Sequence, residues 1–477
     1  MLGPSVPRGG ASKEDSRRPL FTECYDRTQS FAPACPHPNP NADAVLPCGF
    51  HANRKSRSRT SKPIPRPMQL SSRVAALKPS ATLAVNARAR ELKAQGVDVL
   101  TFAAGEPDFD TPQPIKDAVA AALARGETKY APVPGDPETR RLIAEKLTKE
   151  NHIPNCTAEH VVISSGGKQA LYNLFQCLVQ PGDEVILPVP AWVSFAPQIE
   201  LAGGGVVELV TSAATDFKVS PQQLRAAITP KSKVLVLNSP SNPCGTMYSP
   251  DEVRALARVV EDAAASTAPN LVVIADEMYE KIIFGGVEHL SIGSIPAVSE
   301  RVVTCNALSK TYAMTGWRIG YCAGSGAFGL MLSKALQALQ GHSTTSIPTF
   351  LLPAVRVALT QCAPDVERMR AAFAVRAAIT HELVSNIPGI VCPRPTGAFY
   401  VFPDVSAHFG KTSNGGKPIR SAMDFAAALL DEHHVAVVPG EDFGTGGEKC
   451  VRITFACSED NIRKGVKHLA EFVAGLR

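Results

Sequence analysis

The sequence predicts an α/β fold with a large domain and a smaller one, on three observations. Short apolar, β-branched runs recur through the middle of the chain: Val161 to Ser164, Val185 to Leu187, Lys233 to Leu237, Leu271 to Ala275 and Arg301 to Cys305. Each empties into a turn or loop, with helical stretches between them, the alternation that builds a parallel sheet covered by helices. At 477 residues, 44% hydrophobic and 19% charged, the chain is long and apolar enough to bury a large core and to divide into domains.

Charge separates one end from the rest. Residues 1–66 carry eleven Lys/Arg and five Asp/Glu, leaving 38 basic and 39 acidic residues of the chain's 49 and 44. The net +5 therefore belongs to the tail, and no basic surface for nucleic acid is expected on the body. Residues 1–67 are rich in Pro, Ser and Arg, and from His51 to Pro67 they contain no acid. They predict a disordered tail or a transit peptide, with Met68 an alternative start; Glu14, Asp15, Glu23, Asp26 and Asp43 are atypical of such a peptide. No apolar run approaches a membrane span. The twelve cysteines show no CxxC pair or metal-ligand spacing, so reduced core thiols and no metal are expected. The expected division is 68–112, an N-terminal segment; 113–340, the large domain; and 341–477, a connecting helix and the small domain.

Taken in order, Ser80 and Thr82 precede an amphipathic run from Leu83 to Leu92 and are candidate N-caps. Ala103 to Pro112 is a Gly/Pro/Asp loop containing Gly105. The Val161–Ser164 strand leads through Gly166-Gly167 into a helix starting near Lys168, a strand–turn–helix that cradles anions on free N–H groups. Trp192 follows the next strand at the end where open α/β sheets bind ligands, so it is placed to stack on a ring or simply to pack. Asn242 sits in a Pro-rich turn after Lys233–Leu237. Asp276 ends the Leu271–Ala275 strand, and Tyr279 follows three residues on. After Arg301–Cys305 come Ser309, Lys310 and, eight residues later, Arg318. A lysine can form a Schiff base with an aldehyde and an arginine can fork onto a phosphate, a pair that suits pyridoxal phosphate. Two solvated loop cations are the plain alternative. Ala327 to Leu383 reads as helical, Arg394–Phe402 and Val435–Gly440 as small-domain strands, and Cys450–Phe455 alternates, with Arg452 on one face.

The stretch Ser309-Lys310, then Met314-Thr315-Gly316-Trp317-Arg318-Ile319-Gly320-Tyr321, resembles the cofactor-lysine motif of fold-type I pyridoxal-phosphate aminotransferases. Within them it looks most like the bacterial-type aspartate aminotransferases and their plastid relatives, which also act on prephenate; the resemblance runs from about Ser71 to the C-terminus. It implies a seven-stranded, mostly parallel sheet, a small α+β domain built from both chain ends, and a homodimer with shared active sites. It implies that Lys310 carries pyridoxal phosphate and moves the proton, that Asp276 pairs with the ring nitrogen, and that Tyr279 and Asn242 hydrogen-bond the ring oxygen. Gly167, Ser309 and Arg318 would hold the phosphate, with Tyr130 reaching across from the other subunit. Trp192 would stack on the ring, Gly105, Asn242 and Arg452 would hold the substrate's α-carboxylate, and Lys168 and Thr82 would read its distal acid. Two departures stand out. Asp136 follows Gly135 where relatives carry a small or apolar residue, and it is expected to face solvent; Cys244 replaces a commoner threonine.

The function implied is amino-group transfer between aspartate, glutamate or arogenate and 2-oxoglutarate, oxaloacetate or prephenate. An aminotransferase for kynurenine or other neutral or aromatic amino acids, and a lyase of the same fold, are the alternatives. The partners expected are small amino and 2-oxo acids, with no nucleic acid and no membrane. A plastid location is expected, with mitochondrion or cytoplasm as alternatives. An amine-sensing regulator is disfavoured because residues 1–70 have too many prolines and too little periodicity for a helix-turn-helix.

Overall fold

In the computed structural model, the described residues are Met68, 70–75, Leu77 and 81–477, with the side chains of 81–84 and 86 outside the description. The expected tail or transit peptide and the Ser80 cap lie outside the described residues. The chain's first strand, β1 (Leu100–Thr101), belongs to a small sheet. The next seven form one sheet: β2 (Val161–Ser164), β3 (Glu184–Val189), β4 (Gly205–Val210), β5 (Ser232–Asn238), β6 (Val272–Asp276), β7 (Val302–Ala307) and β8 (Gly320–Ala323), in the order 2-8-7-6-5-3-4. Strand β8 is antiparallel to both neighbours, and the other six run one way.

Both faces of the sheet are covered, which is why its strands read as continuous apolar runs. The two-residue period assigns the faces. Val234, Val236, Val272 and Ile274 pack with Ala170, Leu171, Leu174, Phe175 and Leu178 of helix Gly167–Leu178. Leu235, Leu237, Val273 and Ala275 pack with Val253, Leu256, Ala257, Val260 and Ala263 of helix Pro250–Ala264. That second helix starts where Ser249 accepts the Glu252 N–H and Glu252 reaches back to the Ser249 N–H, a reciprocal cap.

The smaller part joins the two ends of the body. Strand β1 pairs in parallel with β10 (Val435–Ala436), while β9 (Tyr400–Val401), β11 (Val438–Pro439) and β12 (Val451–Thr454) form an antiparallel sheet. Their core gathers Leu100 and Phe102 with Phe399, Phe425, Phe455 and Phe472.

Several elements differ from expectation. The Val435–Gly440 run is two strands, separated at Val437 and paired to different sheets. The 327–383 stretch is three helices, Gly326–Gly341, Leu352–Gln361 and Ala363–Ser385, the last two with a proline in the first turn. Of Arg394–Phe402 only Tyr400–Val401 pairs as a strand. Asp136 does not face solvent: it is half-buried, caps helix Pro137–Lys149 by accepting the Thr139 N–H at 3.0 Å, and pairs with Arg356 at 3.1 Å. The carboxylate thus has local partners of its own. All nine cysteines of the described residues are free, six of them buried, and no described helix is long and apolar enough to cross a membrane.

Candidate active site

Six parallel strands carry their C-terminal ends to one edge, and that edge collects the chemistry. Asp276 is the last residue of β6, Lys310 lies three residues beyond β7, Gly167 three beyond β2 and Trp192 three beyond β3. The reversed strand explains Arg318. Because β8 runs the other way, a residue two before its start, not one after its end, reaches the same edge. A cavity of about 370 Å³ results, lined by Gly105, Gly167, Lys168, Trp192, Asn242, Asp276, Tyr279, Ser309, Lys310, Arg318 and Arg452.

The local structure holds these groups in place. Arg318 has a left-handed backbone (φ 57°), uncommon and costly for a residue with a side chain, and its guanidinium bonds the Thr315 carbonyl at 2.9 Å. Gly166 makes room for it: a Cβ there would stand 2.4 Å from the Arg318 guanidinium. Asn242 is fixed through its backbone, whose N–H donates to the Asn238 side chain at 3.0 Å, while Asn238 donates to the Asp276 carbonyl at 3.1 Å.

Three charged groups in the cavity are short of partners. Asp276 is buried and accepts the Met278 N–H at 3.3 Å; burial foremost, with Glu277 nearby, pushes its carboxyl up to about 7. Lys310 donates to the Gly105 carbonyl, and burial, helped by the Arg452 and Arg318 charges, brings its amine down to about 8. Arg452 donates to Asn242 Oδ1 at 2.9 Å and to the Ala103 carbonyl at 3.0 Å, yet its buried Nε has no partner. At the outer side, Lys168 Nζ lies 5.0 Å over the Trp192 ring, and burial and the Arg318 charge hold it below the ordinary lysine value.

A class I and II aminotransferase family matches residues 97–469. The chain belongs to that family. It is 42% identical over 408 residues to an aspartate/prephenate aminotransferase of Cereibacter sphaeroides, covering 85% of this chain and 99% of that one. It is 41% identical to an aspartate aminotransferase of Geobacillus stearothermophilus, at 85% and 99% coverage. Among solved structures it is similar to the aspartate aminotransferase of Rhizobium meliloti (TM-score 0.80, 35% identity, 86% of this chain and 100% of that). It is also similar to that of Thermus thermophilus with maleate (TM-score 0.77, 42% identity, 85% and 100%).

The cofactor of this aminotransferase is pyridoxal phosphate, and the cavity's donor set fits it. A buried acid with no salt-bridge partner suits a protonated ring nitrogen, a lysine of lowered basicity suits an aldehyde, and Arg318 beside the start of helix Gly167–Leu178 suits a phosphate. The glycines make close approach possible, since a Cβ on Gly320 would meet the Gly167 nitrogen at 2.3 Å.

One expected residue is not in the cavity wall. Tyr130 is 93% exposed and lies away from it. Thr82 is the second residue of helix Ala81–Ala94, so it is inside the helix rather than its N-cap, and its side chain is outside the description. Conversely, Ala103, Val193, Asn238, Met278, Thr315 and Tyr400 line the cavity although no motif in the sequence assigns them a role. Asn238 was findable as the polar residue ending an apolar strand. Tyr400 was not, because the run around it reads simply as core.

Proposed function

We propose that this aminotransferase takes acidic amino acids, aspartate foremost, and 2-oxo acids bearing a second carboxylate, with prephenate among its acceptors. The observation that carries this reading is the pair of cations on one cavity: Arg452, buried with an unfilled N–H, and Lys168, half-sheltered over Trp192. One fits the carboxylate common to all amino acids, the other a distal acid, and an acid-less side chain would leave Lys168 unanswered. The names of the relatives, and the binding of the dicarboxylate maleate by one of them, support it.

When bound, pyridoxal phosphate supplies an electron sink for the substrate's Cα–H bond. Asp276 would keep the ring nitrogen protonated, and Tyr279 and Asn242 would hydrogen-bond the ring oxygen. Gly167, Ser309 and Arg318 would hold the phosphate while Trp192 would cover the ring face. Gly105 and Arg452 orient the α-carboxylate, which fixes Cα–H toward Lys310; the free Lys310 amine then moves the proton. Thr82 assists Lys168 at the distal acid. A second copy of the chain brings Tyr130 to the phosphate side, in keeping with an aromatic side chain left 93% exposed on one chain. Residues 1–67 direct the chain to a plastid, a reading supported by the acid-free, Arg-bearing stretch from His51 to Pro67; a fluorescent fusion of that segment found elsewhere would reject it.

Single-turnover reaction of the loaded enzyme with aspartate, glutamate, arogenate, kynurenine and alanine tests the substrate reading. Lys168→Ala is expected to slow the acidic substrates at least ~10-fold more than alanine, the scale of one lost charge-assisted contact. Equal losses, or kynurenine reacting fastest with the native enzyme, would remove it.

A further inference from the structure

We infer that Tyr400 is a positioning residue that links carboxylate binding at Arg452 to hydrogen-bond donation by Tyr279. Tyr400 is completely buried on β9 and touches three parts of the site at once. Its hydroxyl lies 3.0 Å from that of Tyr279, with the rings edge to face at 5.9 Å. Its ring lies 4.7 Å from the Arg452 guanidinium. Its hydroxyl also abuts Gly105, where a Cβ would stand only 3.2 Å away.

The direction of the Tyr279–Tyr400 bond follows from proton counting. A phenol has one proton to give and can accept through its oxygen. If Tyr279 gives its proton to the cofactor's ring oxygen, its own oxygen is left to accept from Tyr400. Two bonds in series strengthen each other, so Tyr400 makes Tyr279 a better donor. Arg452 adds to this, because a cation over the ring draws electrons from the phenol. A substrate carboxylate landing on Arg452 offsets that cation and weakens the chain. Tyr400 thereby reports arrival of the carboxylate to the cofactor's ring oxygen, through contacts present within one chain.

The inference rests on Tyr279 donating to the cofactor, and the experiment separates the two. The holoenzyme is titrated with pH, following the absorbance change of the Lys310-bound cofactor, with and without maleate as an unreactive dicarboxylate. Stronger donation by Tyr279 favours the ring phenolate and lowers the midpoint, so Tyr400→Phe is expected to raise it by about 0.3 pH units, the scale of one lost cooperative bond. The upward shift caused by maleate should also be smaller in Tyr400→Phe than in the native enzyme. Replacing Tyr400 with 3-fluorotyrosine, a stronger donor of nearly the same shape, should move the midpoint down, and serves if the Phe variant loads poorly. Tyr279→Phe should raise the midpoint further than Tyr400→Phe. If Tyr279→Phe moves it and neither change at 400 does, the inference about Tyr400 is wrong. A downward shift in Tyr400→Phe would also overturn it, because Tyr279 would then be donating to Tyr400. If Tyr279→Phe leaves the midpoint unmoved, both the inference and the reading beneath it fall.

Discussion

Two groups of buried charges sit back to back at the ends of β6 and β7, and they are built on opposite rules. In the cavity, Asp276, Lys310 and Arg452 each lack a partner for part of their charge or hydrogen-bonding capacity. Behind it lies a closed cluster. Lys146 bonds Glu280 and, at 2.7 Å, Asn151; Asn151 donates to Glu277 at 3.1 Å and to Glu280; Ser291 donates to Glu277 at 2.7 Å and Asn306 to Glu280 at 2.8 Å. Glu277, Glu280 and His289 also bring three ligating atoms within 4.8 Å, but the cation on Glu280 is Lys146. Burial pushes both glutamates up; Lys146 and His289 overcome it at Glu280, which falls to about 2, while Glu277 stays raised. Adjacent acids at 276 and 277 therefore serve different ends, since consecutive side chains leaving a strand point to opposite sides. Satisfied charges fix the strand ends, and unsatisfied ones wait for ligands.

The largest expected effect comes from opening the closed cluster. Lys146→Met removes the cation bonded to buried Glu280 and should cost about 3–5 kcal/mol of stability. Denaturant unfolding of the apoprotein measures it, and a loss under about 1 kcal/mol would mean the cluster is not closed in solution. In the cavity the balance should reverse. Asp276→Asn is expected to lower turnover about 100- to 1000-fold, the scale of one lost electrostatic stabiliser, without lowering apoprotein stability. The sign follows from linkage: the folded-state value of Asp276, about 7, is above the ordinary carboxylate value of 3.8. The folded native apoprotein therefore loses stability as pH rises between those values, and the asparagine variant escapes that loss. Unfolding curves at pH 5 and pH 8 for both proteins check it; a variant less stable at pH 8 would show that Asp276 already has a partner.

How much of this was legible in the sequence depended on whether the signal was local. The strands β2, β3, β5, β6 and β7 could be read because they are unbroken apolar runs, and the residues just past them became site candidates for that reason. Strand β8 was hidden because Gly320-Tyr321-Cys322-Ala323 carries little β-branched character, and its pairing with β2 and β7 depends on distant partners. Lys146 could not be seen as Glu280's cation, since 134 residues separate them and nothing near Lys146 distinguishes it from a surface helix lysine. Asp136 shows the same limit: Asp-Pro-x-Thr is an ordinary helix start that can cap locally, but its second partner, Arg356, lies 220 residues away.

The smallest effect requires no substitution and tests the open side of the comparison directly. Lys310 must be uncharged to capture the cofactor's aldehyde, and only the neutral amine attacks. With its folded value near 8 instead of 10.5, the neutral fraction rises about fivefold from pH 7 to 8 and at most about twofold beyond. The rate of covalent capture by apoenzyme, followed by absorbance in stopped flow, should trace that curve and level off above pH 9. A lysine with a full set of partners, or one in water, would give a rate still climbing close to tenfold per pH unit at pH 9. That outcome would place Lys310 with the satisfied charges of the cluster behind it. A plateau near pH 9 would instead show that burial and the Arg452 and Arg318 charges outweigh the carboxylates of Glu106 and Asp276 and keep the amine ready to react.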